Sequence, residues 1–206
     1  MTLAEILTKI KRYYPKAATW TDAEITSILN DEQREIFREL QIKDIYEFNT
    51  VADQWSYSLP TNCEVEFLEY VGLTKDAVIT SNSEFQEYTL ADLNENMSGY
   101  RYFDAFNGLI GLYPMPDTTG WNIRLIFKKR PALMNSSNTG ETPELREDWH
   151  RILVYGAIAE IAGSGSNPDT TTANNYTQKY NELMGQILLA KYLNNPRSKK
   201  LKDWSR

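Results

Sequence analysis

The chain is short of the residues from which most sites are built: it has one cysteine, Cys63, and one histidine, His150, in 206 residues. A single cysteine excludes an intrachain disulfide and any multi-cysteine metal site, so Cys63 reads as a small buried hydrophobe. A single histidine leaves a catalytic triad or a histidine-based metal centre without convergent partners. His150 follows Trp149 at the start of an apolar helix and reads as a structural or capping residue. No apolar run approaches the roughly 18 residues that a membrane span needs. The opening residues Met1-Thr2-Leu3-Ala4-Glu5 show no basic stretch leading into an apolar one. The expectation is a chain made and kept in a cytoplasm-like compartment, without membrane contact. Basic charge is scarce too. Against 28 Asp and Glu stand 22 Lys and Arg, a net −6 in which residues 1–196 carry −10 and residues 197–206 carry +4. Affinity for phosphate comes from clustered Lys and Arg, so the acidic body is excluded as a tight DNA binder.

What is present is enough to fold. Hydrophobic residues make up 41% and charged residues 24%, near the globular average and too apolar for a disordered chain. The length suits one core, or one core with an insertion. With 13 Tyr and 5 Trp, aromatics reach 12%, and side chains that join an apolar body to a polar tip are suited to interfaces.

The hydrophobic period divides the chain. Thr2 to Glu5 reads T-x-x-E before Ile6, Leu7 and Ile10, a capping box opening an amphipathic helix that should stop near Tyr14-Pro15. Thr21 to Glu24 repeats the signature, and Ile25, Ile28, Leu29, Ile36, Phe37 and Leu40 keep helical spacing to about residue 41. From about residue 44 the period becomes 2. Trp55, Tyr57 and Leu59, then Cys63, Val65 and Phe67, then Trp121, Ile123, Leu125 and Phe127 alternate with polar residues. Gly99, Gly108, Gly111, Pro114, Pro116 and Gly120 punctuate the span as turns of a small antiparallel sheet. On its polar side Glu64 and Glu66 are expected to face Arg124 and Lys128. After Pro143 the helical period returns: Trp149, Ile152, Leu153, Tyr155, Ala157, Ile158, Ile161 and Ala162 leave little polar face, so this helix should be covered on most sides. A last helix carries Tyr176, Tyr180, Leu183, Met184, Ile187 and Leu188. The fold class that follows is α+β: a four-helix core at 1–43 and 134–195, a β-rich antiparallel insertion at 44–133 between the second and third helices, and an extended basic C-terminal tail at 196–206.

The candidates for chemistry are weak. Gly163-Ser164-Gly165-Ser166 follows a helix rather than a strand and lacks both the Walker Lys-Ser/Thr and the G-x-S-x-G spacing, so it reads as an interhelix loop. Glu64, Glu66 and Glu69 could supply an acid/base pair of the glycosidase kind, but alternation with Val65 and Phe67 favours a solvated sheet face. The sequons at Asn96, Asn135 and Asn175 carry no meaning without a secretory route. No catalytic residue, cofactor site or metal site is assigned, and the chain is read as a non-enzyme. Its tyrosines and tryptophans could line a carbohydrate-binding surface, which makes a soluble ligand-binding module the alternative function.

Four stretches carry a resemblance. They are Thr19-Trp20-Thr21-Asp22-Ala23-Glu24-Ile25 leading to Leu29-Asn30-Asp31-Glu32-Gln33-Arg34-Glu35-Ile36; Leu112-Tyr113-Pro114-Met115-Pro116 after Asn107-Gly108; Lys129-Arg130-Pro131-Ala132-Leu133; and Pro143-Glu144-Leu145-Arg146-Glu147-Asp148-Trp149-His150 before Leu153-Val154-Tyr155-Gly156-Ala157. In their order and spacing they resemble the head-to-tail adaptor (connector) proteins of tailed bacteriophages; residues 76–98 match nothing in that pattern. The resemblance implies a structural protein of the virion, made in the bacterial host cytoplasm and placed at the head–tail junction. It implies a ring, commonly twelvefold, beneath the portal protein, a downstream tail protein as second partner, and double-stranded DNA passing through the lumen without specific binding. It also implies that the C-terminal segment docks onto the portal or a neighbouring subunit. In this chain that segment follows Pro196 and offers Arg197, Lys199, Lys200, Lys202 and Arg206 as charge, with Leu201 and Trp204 as apolar anchors. A solvated tail that merely aids solubility is the plainer reading of the same residues.

Overall fold

The computed structural model describes residues 1–63, 65–74, 86–87, 101–117, 119–164 and 167–193. Its backbone divides into two compact units, residues 1–40 with 131–206, and residues 41–130.

The first unit is helical. Helix α1, Leu3–Tyr13, opens on the expected box: the Thr2 hydroxyl accepts from the Glu5 N–H at 3.3 Å and the Glu5 carboxylate accepts from the Thr2 N–H at 3.0 Å. It ends at Tyr14 because Pro15 cannot continue it, and a 3₁₀ turn over Pro15–Thr19 follows. Helix α2, Asp22–Leu40, starts on the second box, in which the Thr21 hydroxyl accepts from the Glu24 N–H at 3.2 Å and the Glu24 carboxylate accepts from the Thr21 N–H at 2.8 Å. A 3₁₀ turn at Glu147–Trp149 leads into helix α3, His150–Gly163, and helix α4 spans Thr170–Leu193. Helix α3 packs against α1, α2 and α4, and Ile152, Leu153, Val154, Ala157, Ile158, Ile161 and Ala162 are all buried. An all-round apolar helix can be stable only with neighbours on most sides, and the other helices provide them. On α4, Met184 and Ile187 are buried as expected, whereas Leu188 is 41% exposed and does not join the inner stripe.

One polar device ties the returning chain to α2. Gln33, fully buried on the inner stripe between Leu29 and Ile36, donates its amide to the Ala132 carbonyl and accepts from the Glu144 N–H, each at 3.0 Å. One turn earlier, Asn30 donates to the Met134 carbonyl at 3.0 Å and accepts from the Met134 N–H at 2.8 Å. The same segment reaches α1, where the Leu3 and Ala4 N–H groups donate to the carbonyls of Glu141 (2.7 Å) and Thr139 (3.0 Å). Those are first-turn donors with no partner inside the helix.

The second unit is built of strands: β1 Lys43–Asn49, β2 Ser56–Ser58, β3 Leu68–Thr74, β4 Gln86–Glu87, β5 Arg101–Asp104, β6 Leu109–Tyr113 and β7 Asn122–Lys128. They form two sheets rather than one, ordered β1-β7-β3 and β2-β6-β5-β4, antiparallel throughout except for the β4–β5 pair. Tyr57, Tyr102, Ile110 and Leu112 from one sheet meet Val71, Ile123, Leu125 and Phe127 from the other in a common core that also buries Cys63. Two expectations are corrected. Val65–Phe67 is a 3₁₀ turn, not a strand, because the chain bends there before β3 begins. As a result Arg124 pairs with Glu47, its neighbour across β1 and β7, at 2.5 Å. Glu66 instead lies 3.9 Å from Arg130, and Glu64 falls outside the described residues. Gly111 is not a turn residue either. It sits in mid-strand, where the Phe103 ring occupies the space that a side chain would need.

Replacing Gln33 with leucine keeps the volume but removes both ties to the 131–145 segment. A loss of about 2 kcal/mol is expected for the exchange, read as a lower urea midpoint at unchanged slope.

Candidate functional site

The helical unit carries a groove of about 470 Å³ lined from α2 by Asp31, Glu32 and Glu35, from α3 by Gly156, Ala159 and Glu160, and from α4 by Thr177, Tyr180 and Asn181. Its form follows from one residue. Gly156 has no side chain, and the Glu32 carboxylate occupies the space that a β-carbon there would fill. Helix α2 thereby lays an acidic side chain against the backbone of α3 instead of sending it into water. Burial, then the nearby charges of Glu160, Glu35 and Asp31, raise the Glu32 carboxyl from the ordinary range to about 7. Glu160 is raised as well, by burial first and by Asp31 second. The Tyr180 hydroxyl is pushed up by burial and by Glu32, Glu39 and Glu35. Two of the groove's carboxylates are paired on their own helix, Asp31 with Arg34 at 2.8 Å and Glu35 with Arg38 at 2.6 Å, on exposed side chains. The groove is therefore an acidic cluster in which Asp31 and Glu35 are paired with arginines and Glu32 and Glu160 are shifted toward neutrality.

Of the residues assigned from sequence, Arg197, Lys199, Lys200, Leu201, Lys202, Trp204 and Arg206 all lie outside the described residues. His150 is 3% exposed. Its Nε2 faces the Leu145 carbonyl oxygen at 2.8 Å and must carry the proton, which leaves Nδ1 to accept from the Met1 amine at 2.9 Å. Both ring nitrogens are occupied in joining chain segments, as a structural residue requires. Glu69 pairs with Lys43. Among the described residues no group of three or more His, Cys, Asp or Glu side chains could hold a metal ion, and no helix is long and apolar enough to cross a membrane. Sequence reasoning missed Glu32 and Glu160 as members of one cluster. The signal available was an acidic pair, Asp31-Glu32, on a helix that continues to Glu35, with a glycine on the apolar helix expected to cover it.

Comparison with known proteins supplies the frame for these observations. The family model described as SU10 adaptor protein matches residues 1–200, and the chain belongs to that family of phage head-to-tail adaptors. No curated protein matches the chain.

The groove yields a prediction about pH. The folded Glu32 carboxyl holds its proton more tightly than the unfolded one, so its contribution is fully present below the unfolded value and is lost as pH rises through about 7. Stability against urea should fall by on the order of 1–2 kcal/mol between pH 4.5 and pH 8 through this group. Glu32→Gln should flatten that part of the profile. Gly156→Ala should do the same by driving the carboxylate out of the groove, and NMR titration of Glu32 in that variant should return an ordinary carboxyl midpoint.

Proposed function

We propose that this adaptor docks as a ring beneath the portal of a phage capsid, joins the portal to the next tail protein and forms part of the DNA passage. The observation that carries this reading is the family match, which runs through both units and every described helix and strand. The architecture is consistent with it. A rigid helical unit closed by side-chain amides can hold a fixed orientation in a ring, and a separate β-rich unit leaves a second surface for another partner. Twelve subunits is the number that the resemblance to connector proteins suggests.

Charge then assigns the work. Residues 1–196 carry −10, and a channel of that sign avoids long-lived contacts with a moving duplex, since binding to DNA depends on releasing counterions from phosphate by clustered Lys and Arg. Attachment falls to residues 197–206, where five basic residues against one acidic one accompany Leu201 and Trp204. A segment of this charge suits an acidic groove on the portal or on a neighbouring adaptor.

Deleting residues 197–206 should leave the fold intact by circular dichroism and abolish stable capture by the portal in mass measurements of the mixture. Trp204→Ala should cost on the order of 2 kcal/mol of binding, and attachment should weaken as salt rises. Portal binding unchanged by the deletion would return the tail to a solubilising role. The truncated chain should also bind duplex DNA more weakly than micromolar at physiological salt, and micromolar or tighter binding would contradict the charge argument.

A further inference from the structure

Among the described residues strand β1 is a sheet edge and pairs with β7 alone, through seven consecutive partners from Lys43↔Lys128 to Asn49↔Asn122. The opposite edge, β3, is broken by a register shift between Leu68 and Tyr70. In an antiparallel ladder alternate residues turn their backbone groups to a given neighbour. The Lys129 N–H donates to the Ile42 carbonyl and the Thr50 N–H to the Trp121 carbonyl, both at 2.8 Å. Those bonds assign the even-numbered residues of β1 to β7, so Lys43, Ile45, Glu47 and Asn49 turn theirs outward. One outward donor, the Ile45 N–H, is held by the Asp44 carboxylate at 2.9 Å. Among the described residues nothing else pairs with the outward groups of this edge. The four outward residues are exposed, Ile45 at 59%. Natural edges are protected by charged side chains, by proline, by a bulge, by a covering element or by pairing with another strand. β1 has no proline and no bulge, and its charges Lys43, Asp44 and Glu47 disfavour a strand of unmatched charge while admitting one that matches them.

The order of side chains selects the occupant. Around Ile45 the strand reads Ile42-Lys43-Asp44-Ile45-Tyr46-Glu47-Phe48. A second β1 laid antiparallel with its centre at Ile45 sets odd residues opposite odd ones, as the outward backbone requires. It places Lys43 across from Glu47 twice and Ile45 against Ile45 on the exposed face. On the other face Asp44 meets Tyr46, and Ile42 meets Phe48. Within one chain Glu47 already pairs with Arg124 and Lys43 with Glu69. The seam would therefore continue a row of alternating charge, Arg124, Glu47, Lys43, Glu69, from one copy to the next. Moving the centre to Tyr46 sets Ile45 against Glu47, and moving it to Glu47 sets two glutamates face to face, so complementarity belongs to the Ile45 register.

We propose that β1 pairs antiparallel with β1 of a second copy about Ile45, joining two three-stranded sheets into one of six strands. The partner is this chain itself, and the two-fold contact closes on itself and cannot propagate into a ring. It is a contact of the free protein, independent of the reading of the ring. A seam this short falls below the roughly 1,000 Å² of stable interfaces, so the pairing is weak and reversible.

A disulfide trap with charge swaps tests it on the full chain. The Cα atoms of a hydrogen-bonded cross-strand pair lie about 5.5 Å apart, within disulfide reach. Cys63 is buried, which makes the parent chain the control. Under mild oxidation Ile45→Cys should give a covalent dimer that the parent does not. On that background Lys43→Glu or Glu47→Lys alone should cut self-crosslinking roughly tenfold, because each places like charges opposite at both ends of the seam. Mixing the two variants, one carrying a mass tag, should restore crosslinking between them, since each then supplies the charge that the other lacks. Circular dichroism checks that each variant is folded. No crosslinking above the parent would overturn the proposal. So would variants that crosslink with themselves as readily as with each other, the mark of random collision or of a different strand on this edge.

Discussion

The helical unit depends on two amide side chains that do the work of a strand. Chain leaving the β unit returns through residues 131–145 without regular structure, and backbone groups near a core must find partners. Gln33 and Asn30 provide them from α2, and the opening turn of α1 provides two more donors. This single arrangement sets where the chain re-enters the unit. The amides hold that segment in one register on α2 shortly before α3 begins at His150, and α1 lies beside the same segment.

A consequence of that register is the meeting of Glu32 with Gly156. Once α3 is held against α2 at this level, the small residue on α3 falls under an acidic residue of α2, and α4 adds Tyr180 from the third side. Glu32 and Glu160 shift toward neutrality because burial disfavours the charge of each and neighbouring carboxylates add to it. The cost is borne within a unit whose core is largely apolar. Acidic charge is thus part of the surface of the helical unit, while residues 197–206 carry a net +4.

Some of this was written in local order. Both capping boxes, the stop at Pro15, the apolar ring of α3 and the alternation of β7 could be read directly, because each depends on residues three or four apart, or two apart, and on no distant partner. Strand pairing could not. Alternation at Cys63, Val65 and Phe67 is the same whether the chain forms a strand or a 3₁₀ turn, and the ion pair of Arg124 depends on which strand becomes its neighbour, a matter of register between residues 77 positions apart. Gly111 looked like a turn for the same reason: glycine permits a turn, and it also permits an aromatic ring to lie on a strand.

The sequence by itself determined the helices, the change of period that marks the β unit, and the placing of opposite charge in the body and the tail, since these follow from composition and short-range spacing. Tertiary structure alone decided that Gln33, a polar residue on an apolar stripe, is a tie and not a flaw, and that Glu32 and Glu160 from separate helices share one groove. It also decided that, among the described residues, β1 is a sheet edge with β7 as its one partner. Each of those facts depends on contacts between segments distant in the chain, and the free energy that selects among such contacts is a sum over many neighbours that no single stretch of sequence contains.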